Sequence, residues 1–82
     1  MTRHFFRFVM VNGSVAELMT EDDEDAKKVV DFRWATGAGA YFTPWLTPFI
    51  VDKYGDQIPD ERKLRRVNFM HVTAVEYEKR ER

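Results

Sequence analysis

Apolar and polar positions alternate with a period of two near both ends of the chain and lose that period in the middle. The run HFFRFVMV, His4 to Val11, sets Phe6, Phe8 and Met10 on one side of a pleated strand and Phe5, Arg7, Val9 and Val11 on the other. Both sides are largely apolar, the pattern of a central strand or of one whose second face meets a partner chain. Asn12-Gly13 follows. Both central residues of a tight type I′ turn take positive φ, so this pair predicts a two-residue hairpin with a return strand over Ser14 to Met19. The polar content of that return strand suits a sheet edge. Ser14 and Glu17 also have capping-box spacing, and a helix from Ser14 is the alternative for residues 14–19.

The pattern turns helical after Thr20. With Thr20 as N-cap, Glu21, Asp22 and Asp23 fall in the first turn, where carboxylates meet free backbone N–H groups and the positive end of the helix dipole. A helix from residue 21 to about 35 gathers Ala26, Val29, Val30 and Trp34 into one arc, with Asp23–Lys27 and Glu24–Lys28 as favourable pairs. Arg33 falls in the middle of that arc; it snorkels, pairs with a carboxylate, or marks a helix that stops near Asp31. Gly37-Ala38-Gly39-Ala40 is a small-residue connector without dinucleotide-loop spacing.

From Tyr41 to Tyr54 no regular period survives. Thr43-Pro44 and Thr47-Pro48 bias their threonines away from α conformation, and internal prolines cannot donate to a central ladder. Thr47 either caps a short helix over 48–54 or precedes an edge strand over Phe49 to Lys53. Asp56 to Asp60 reads as a turn. The period of two returns from Val67 to Lys79, with Val67, Phe69, His71, Thr73, Val75 and Tyr77 on one face and a bulge or turn between Asn68 and His71; Lys79 to Arg82 read as a frayed end. The elements sum to a small α+β fold: a three- to four-stranded, mostly antiparallel sheet with an N-terminal β-hairpin and one main helix packed on it.

Eighty-two residues make room for one domain spanning 1–82, with a shallow core. Hydrophobic residues at 44% and charged residues at 33% exclude a disordered composition, and the absence of cysteine excludes a disulfide scaffold and thiolate metal sites. No apolar run is long enough for a membrane helix and no signal-peptide pattern is present, so a cytoplasmic protein is expected. The aromatic share of 15% is the informative excess. Either the core is unusually aromatic or some rings sit at an interface.

Catalytic chemistry finds little footing. His4 and His71 lack zinc-type spacing, and Ser14, the one serine, stands beside the turn rather than in a nucleophile elbow. The acids from Glu21 to Asp25 are consecutive, unlike the spaced ligands of a calcium loop. No metal, cofactor or catalytic residue is assigned, although fourteen carboxylates leave a small hydrolase with an unplaced carboxylate site as a third reading. The leading expectation is a non-catalytic protein-interaction module, an adaptor, inhibitor or regulatory subunit, with contacts from Tyr41, Phe42, Trp45, Leu46 and Phe49. The rival is a nucleic-acid-binding accessory protein using Arg62, Lys63, Arg65 and Arg66. A protein partner, a homodimer through the two-sided first strand, or both are expected.

Overall fold

The computed structural model describes residues 2–31 and 42–81. Strand β1 (Thr2–Met10) turns into β2 (Val15–Thr20), helix α1 (Asp23–Val30) follows, and β3 (Phe49–Val51), β4 (Gln57–Pro59) and β5 (Val72–Glu81) complete the order, with a 3-10 turn over Phe69–His71 entering β5. The main sheet is three-stranded and antiparallel in the order β2-β1-β5; β3 and β4 form a second, two-stranded sheet. The α+β fold, the N-terminal hairpin and, among the described residues, one packed α-helix match the expectation from the pattern.

The hairpin turn differs from the two-residue form expected. Gly13 has φ of +87° and no other residue than glycine takes positive φ among the described residues, so Asn12 cannot fill a type I′ position. The Gly13 N–H donates to the Met10 carbonyl at 2.9 Å and the Met10 N–H donates to the Ser14 carbonyl at 2.9 Å. These bonds define a three-residue connection with glycine in the left-handed position of a bulge. Asn12 works through its side chain, whose Oδ1 accepts from the Ser14 N–H and hydroxyl.

β1 is central in the main sheet, with one face buried in the core and the other covered in part. Phe6 and Phe8 join Leu18, Ala26, Val29, Leu46 and Val67 in the buried cluster. Full burial of such side chains contributes about 1.5–3 kcal/mol each, which makes this cluster the main source of stability. On the opposite face Phe5 meets Phe49 edge-on at 5.7 Å, and the Arg80 guanidinium lies 4.4 Å from the Phe5 ring centre. Arg7, the charge among these rings, is exposed and lies between Glu17 on β2 and Glu76 on β5. Val72 and Val75 have opposite parity in β5 yet both pack against the core, because the β1–β5 register shifts between Val9 and Met10.

The helix begins later than expected. Thr20 is the last residue of β2, paired with His4, and its hydroxyl accepts from the Asp22 N–H at 3.0 Å; the cap is Asp22, accepting from the N–H groups of Glu24 at 2.9 Å and Asp25 at 3.1 Å. Asp31 is the C-cap, so the helix stops there, and the expected extension to about 35, with Arg33, Trp34 and the Gly37–Ala40 connector, lies outside the described residues. Ala26 and Val29 are buried, whereas Val30, expected in the same arc, is exposed. Burial and the neighbouring Asp22 carboxylate raise the pKa of Asp25 above the ordinary value.

Over residues 48–54 the strand alternative holds and the helix does not, but the strand is only Phe49–Val51, shorter than the Phe49 to Lys53 expected. Asp56 to Asp60 is not the turn: β4 occupies it, and the turn sits at Asp52 to Asp56, where the Asp52 carboxylate accepts from the Tyr54 and Asp56 N–H groups and Gly55 takes φ of +83°. Lys79 to Glu81 are not frayed, since β5 runs to Glu81 opposite Thr2.

Candidate interaction surface

The chain over 42–51 and 57–68 forms one long, irregular antiparallel hairpin. β3 and β4 pair at its tip, Leu46↔Arg65 and Phe42↔Asn68 continue it as isolated bridges, and Met19↔Thr47 fastens it to β2. Its irregularity has a local cause. Pro44, Pro48 and Pro59 lack the donor that a continuous ladder needs, and the pairing is made in short pieces between them.

Within those pieces the side chains still alternate. Thr43, Leu46 and Val67 point inward and are buried, whereas Phe42, Trp45 and Arg66 point outward. Thr43 ties the two arms together: its N–H donates to the Val67 carbonyl at 2.9 Å and its hydroxyl oxygen accepts from the Val67 N–H at 2.8 Å. Its carbonyl accepts from Arg66 Nε at 3.0 Å. Arg66 is thereby aimed between two rings, its guanidinium carbon 5.4 Å from the centre of Phe42 and 5.3 Å from that of Trp45. Phe42 and Trp45 remain 45% and 55% exposed, so the guanidinium orders the rings without hiding them. Each such contact contributes about 0.5–1 kcal/mol at an exposed site.

The residues expected at a protein contact therefore divide. Phe42 and Trp45 are on the surface. Leu46 is 1% exposed and part of the core, because the alternation that turns Trp45 outward turns its neighbour inward. Phe49 is spent on Phe5, and Tyr41 lies outside the described residues. Among the basic residues, Arg62 donates through Nε to the Asp60 carboxylate at 3.1 Å and holds its pKa below the ordinary value. Lys63, Arg65 and Arg66 are exposed; Lys63 adds its charge to that of Arg62 beside Asp60, whereas Arg65 and Arg66 form no ion pair with a carboxylate among the described residues. The aromatic and basic stretches, rivals in the sequence, meet at one residue: Arg65 exchanges both backbone bonds with Leu46, and the next residue, Arg66, lies against Phe42 and Trp45.

A second polar cluster lies on the core side of the sheet. His4 is 5% exposed; its Nε2 lies 2.7 Å from the Asp23 carboxylate and its Nδ1 lies 2.7 Å from the Tyr77 hydroxyl, joining α1, β1 and β5. His71 is exposed, and among the described residues no group of three or more His, Cys, Asp or Glu is placed to hold a metal ion. Among the described residues no helix is long and apolar enough to cross a membrane. Comparison of the chain with protein-family models, with curated proteins and with solved structures finds no match.

Proposed function

We propose that the protein is a small non-catalytic interaction module, an adaptor, inhibitor or regulatory subunit, whose partner seats on Phe42, Trp45 and Arg66. The observation that carries this reading is the Arg66 guanidinium held between two exposed rings by the Thr43 carbonyl. Trp and Arg are the side chains most often found as binding hot spots, and rings ordered before contact lose less freedom on binding. Trp45 is more than half exposed and absent from the core cluster, so Trp45→Ala is expected to abolish partner capture from a native lysate while the far-UV circular dichroism and melting curve stay nearly unchanged. Loss of folding in this variant, or undiminished capture, refutes the reading.

The same arrangement supports a second reading, because exposed rings beside Arg66, with Lys63 and Arg65 exposed on the same arm of the hairpin, are the parts of a single-strand nucleic-acid surface. On this reading oligonucleotide affinity falls with salt by a logarithmic slope of about −0.7 to −0.9 per phosphate contact. Fluorescence anisotropy with labelled single- and double-stranded oligonucleotides tests it. Absence of binding at ~50 mM salt, or binding unchanged when Arg62, Lys63, Arg65 and Arg66 are all replaced by Gln, removes it.

A further inference from the structure

β2 is an edge strand of the main sheet, and the irregular hairpin covers its outer edge at one point only. Met19 and Thr47 exchange both backbone bonds, with the Met19 N–H donating at 2.7 Å and the Thr47 N–H at 3.0 Å. Backbone groups alternate sides along a strand, so Glu17 and Val15 direct their N–H and C=O groups toward the same outer side as Met19. Among the described residues no bridge joins β2 to the hairpin beyond Met19. The two strands splay instead, and a groove of about 360 Å³ opens with Ala16, Glu17 and Leu18 on one wall and Lys63, Arg65 and Arg66 on the other.

We infer that this groove takes an extended acidic peptide segment, added antiparallel to β2 as a further strand. The inference rests on the interaction-module reading and names the chemistry of its partner. Two independent features specify the occupant. Outward N–H and C=O groups at Val15 and Glu17 recognise a chain in extended conformation, the basis of strand addition at a sheet edge. The facing wall sets three cations against one carboxylate, Glu17; Lys63 also acts on Asp60, whereas Arg65 and Arg66 form no ion pair with a carboxylate among the described residues. Acids on the added strand complement that wall. A segment leaving the groove past Arg66 reaches Trp45 and Phe42, because Arg66 belongs to both the groove wall and the ring platform.

The test uses the full chain and a fluorescein-labelled peptide of alternating Glu and Val, about ten residues long, enough to overlap the few open edge positions at about 3.3 Å per residue. Anisotropy is expected to show binding at ~50 mM salt that weakens at ~200 mM, with the Val15 and Glu17 amides gaining protection from hydrogen exchange. The same peptide N-methylated at alternate residues, which keeps every charge but cannot complete the ladder, is expected to bind about tenfold more weakly. Glu17→Pro, which removes one outward N–H at an edge position, is expected to do the same, as is the Lys63→Gln/Arg65→Gln pair. Equal binding of the N-methylated peptide with an unprotected Glu17 amide overturns the inference, and needs no protein variant to fold. Tighter binding of oligothymidylate than of the peptide also overturns it. Loss of lysate capture in Trp45→Ala with full capture in Glu17→Pro overturns the strand addition and leaves the interaction module standing; the reverse pattern overturns the Trp45 reading and supports the edge.

Discussion

Replacing Tyr77 with Phe tests whether Asp23, His4 and Tyr77 act as one hydrogen-bonded unit. A carboxylate only accepts, so Asp23 draws the hydrogen to His4 Nε2; in the neutral ring Nδ1 then accepts the Tyr77 hydroxyl. The substitution deletes one oxygen and leaves the ring, which stacks on Phe6 at 5.1 Å and 25° and on His4 at 5.9 Å and 13°. Packing is therefore nearly conserved, and the loss isolates a buried acceptor without a donor, worth about 1–3 kcal/mol. At about 4–8 °C per kcal/mol for a domain of this size, Tm is expected to fall by roughly 5–20 °C. Urea and thermal unfolding followed by circular dichroism would compare the parent, Tyr77→Phe, His4→Phe and the double variant. His4→Phe leaves Asp23, whose side chain is 79% exposed, to water. With both His4 and Tyr77 replaced, no acceptor is left without its donor, and the double variant is expected to be less damaged than the sum of the singles. A loss below about 0.5 kcal/mol in Tyr77→Phe, together with additivity in the double, refutes the idea of a coupled chain.

Gly13→Ala meets no atom within 4 Å, so its cost is the left-handed backbone alone, about 1–2 kcal/mol, read as a lower urea midpoint at unchanged slope. Asp22→Ala is expected to cost about 0.5–2 kcal/mol by uncapping α1, with Asp22→Asn recovering most of it by the same unfolding measurement. Asp60 gives an acid limb of known sign: its folded pKa lies below the unfolded one, so its contribution is complete above the ordinary aspartate value of about 3.9 and is lost as pH falls through the depressed value. Urea midpoints measured down this acid range should fall less steeply in Arg62→Gln, and an unchanged slope would deny the Arg62 hydrogen bond its role.

Local signals made the first half of the fold legible. Two-sided apolar alternation marked β1 as central, and Asn-Gly marked the reversal. The turn type escaped because Gly13 alone supplies the positive φ, while the Asn12 side chain secures Ser14. The helix cap escaped for a different reason: Thr20 and Asp22 have equal local credentials, and β2 runs through Thr20, so the helix starts two residues later, at Asp23 behind Asp22. Beyond residue 42 the decisive contacts are distant in sequence. Thr43 and Val67 lie 24 residues apart, and three prolines erase the alternation that would have revealed their pairing. The aromatic and basic stretches were thus both visible as compositions, while their union through Arg66 was not. Leu46 and Trp45 likewise read as equivalent until the bridge to Arg65 assigns them opposite sides.

The central strand has partners from opposite ends of the described chain. β2 arrives across a three-residue connection, but β5 pairs Thr2 with Glu81, a separation of 79 residues. During synthesis β1 and β2 are therefore made as a hairpin whose second hydrogen-bonding edge, with Phe6 and Phe8 beside it, stays open until nearly every other described residue has been added. Contacts this distant close slowly, and an open apolar edge invites pairing with other chains in the meantime. The interval between translating β1 and translating β5 is thus the period in which this protein is most exposed to misassembly, and slowing elongation within that interval should lower the yield of folded chain more than slowing it after β5 has emerged.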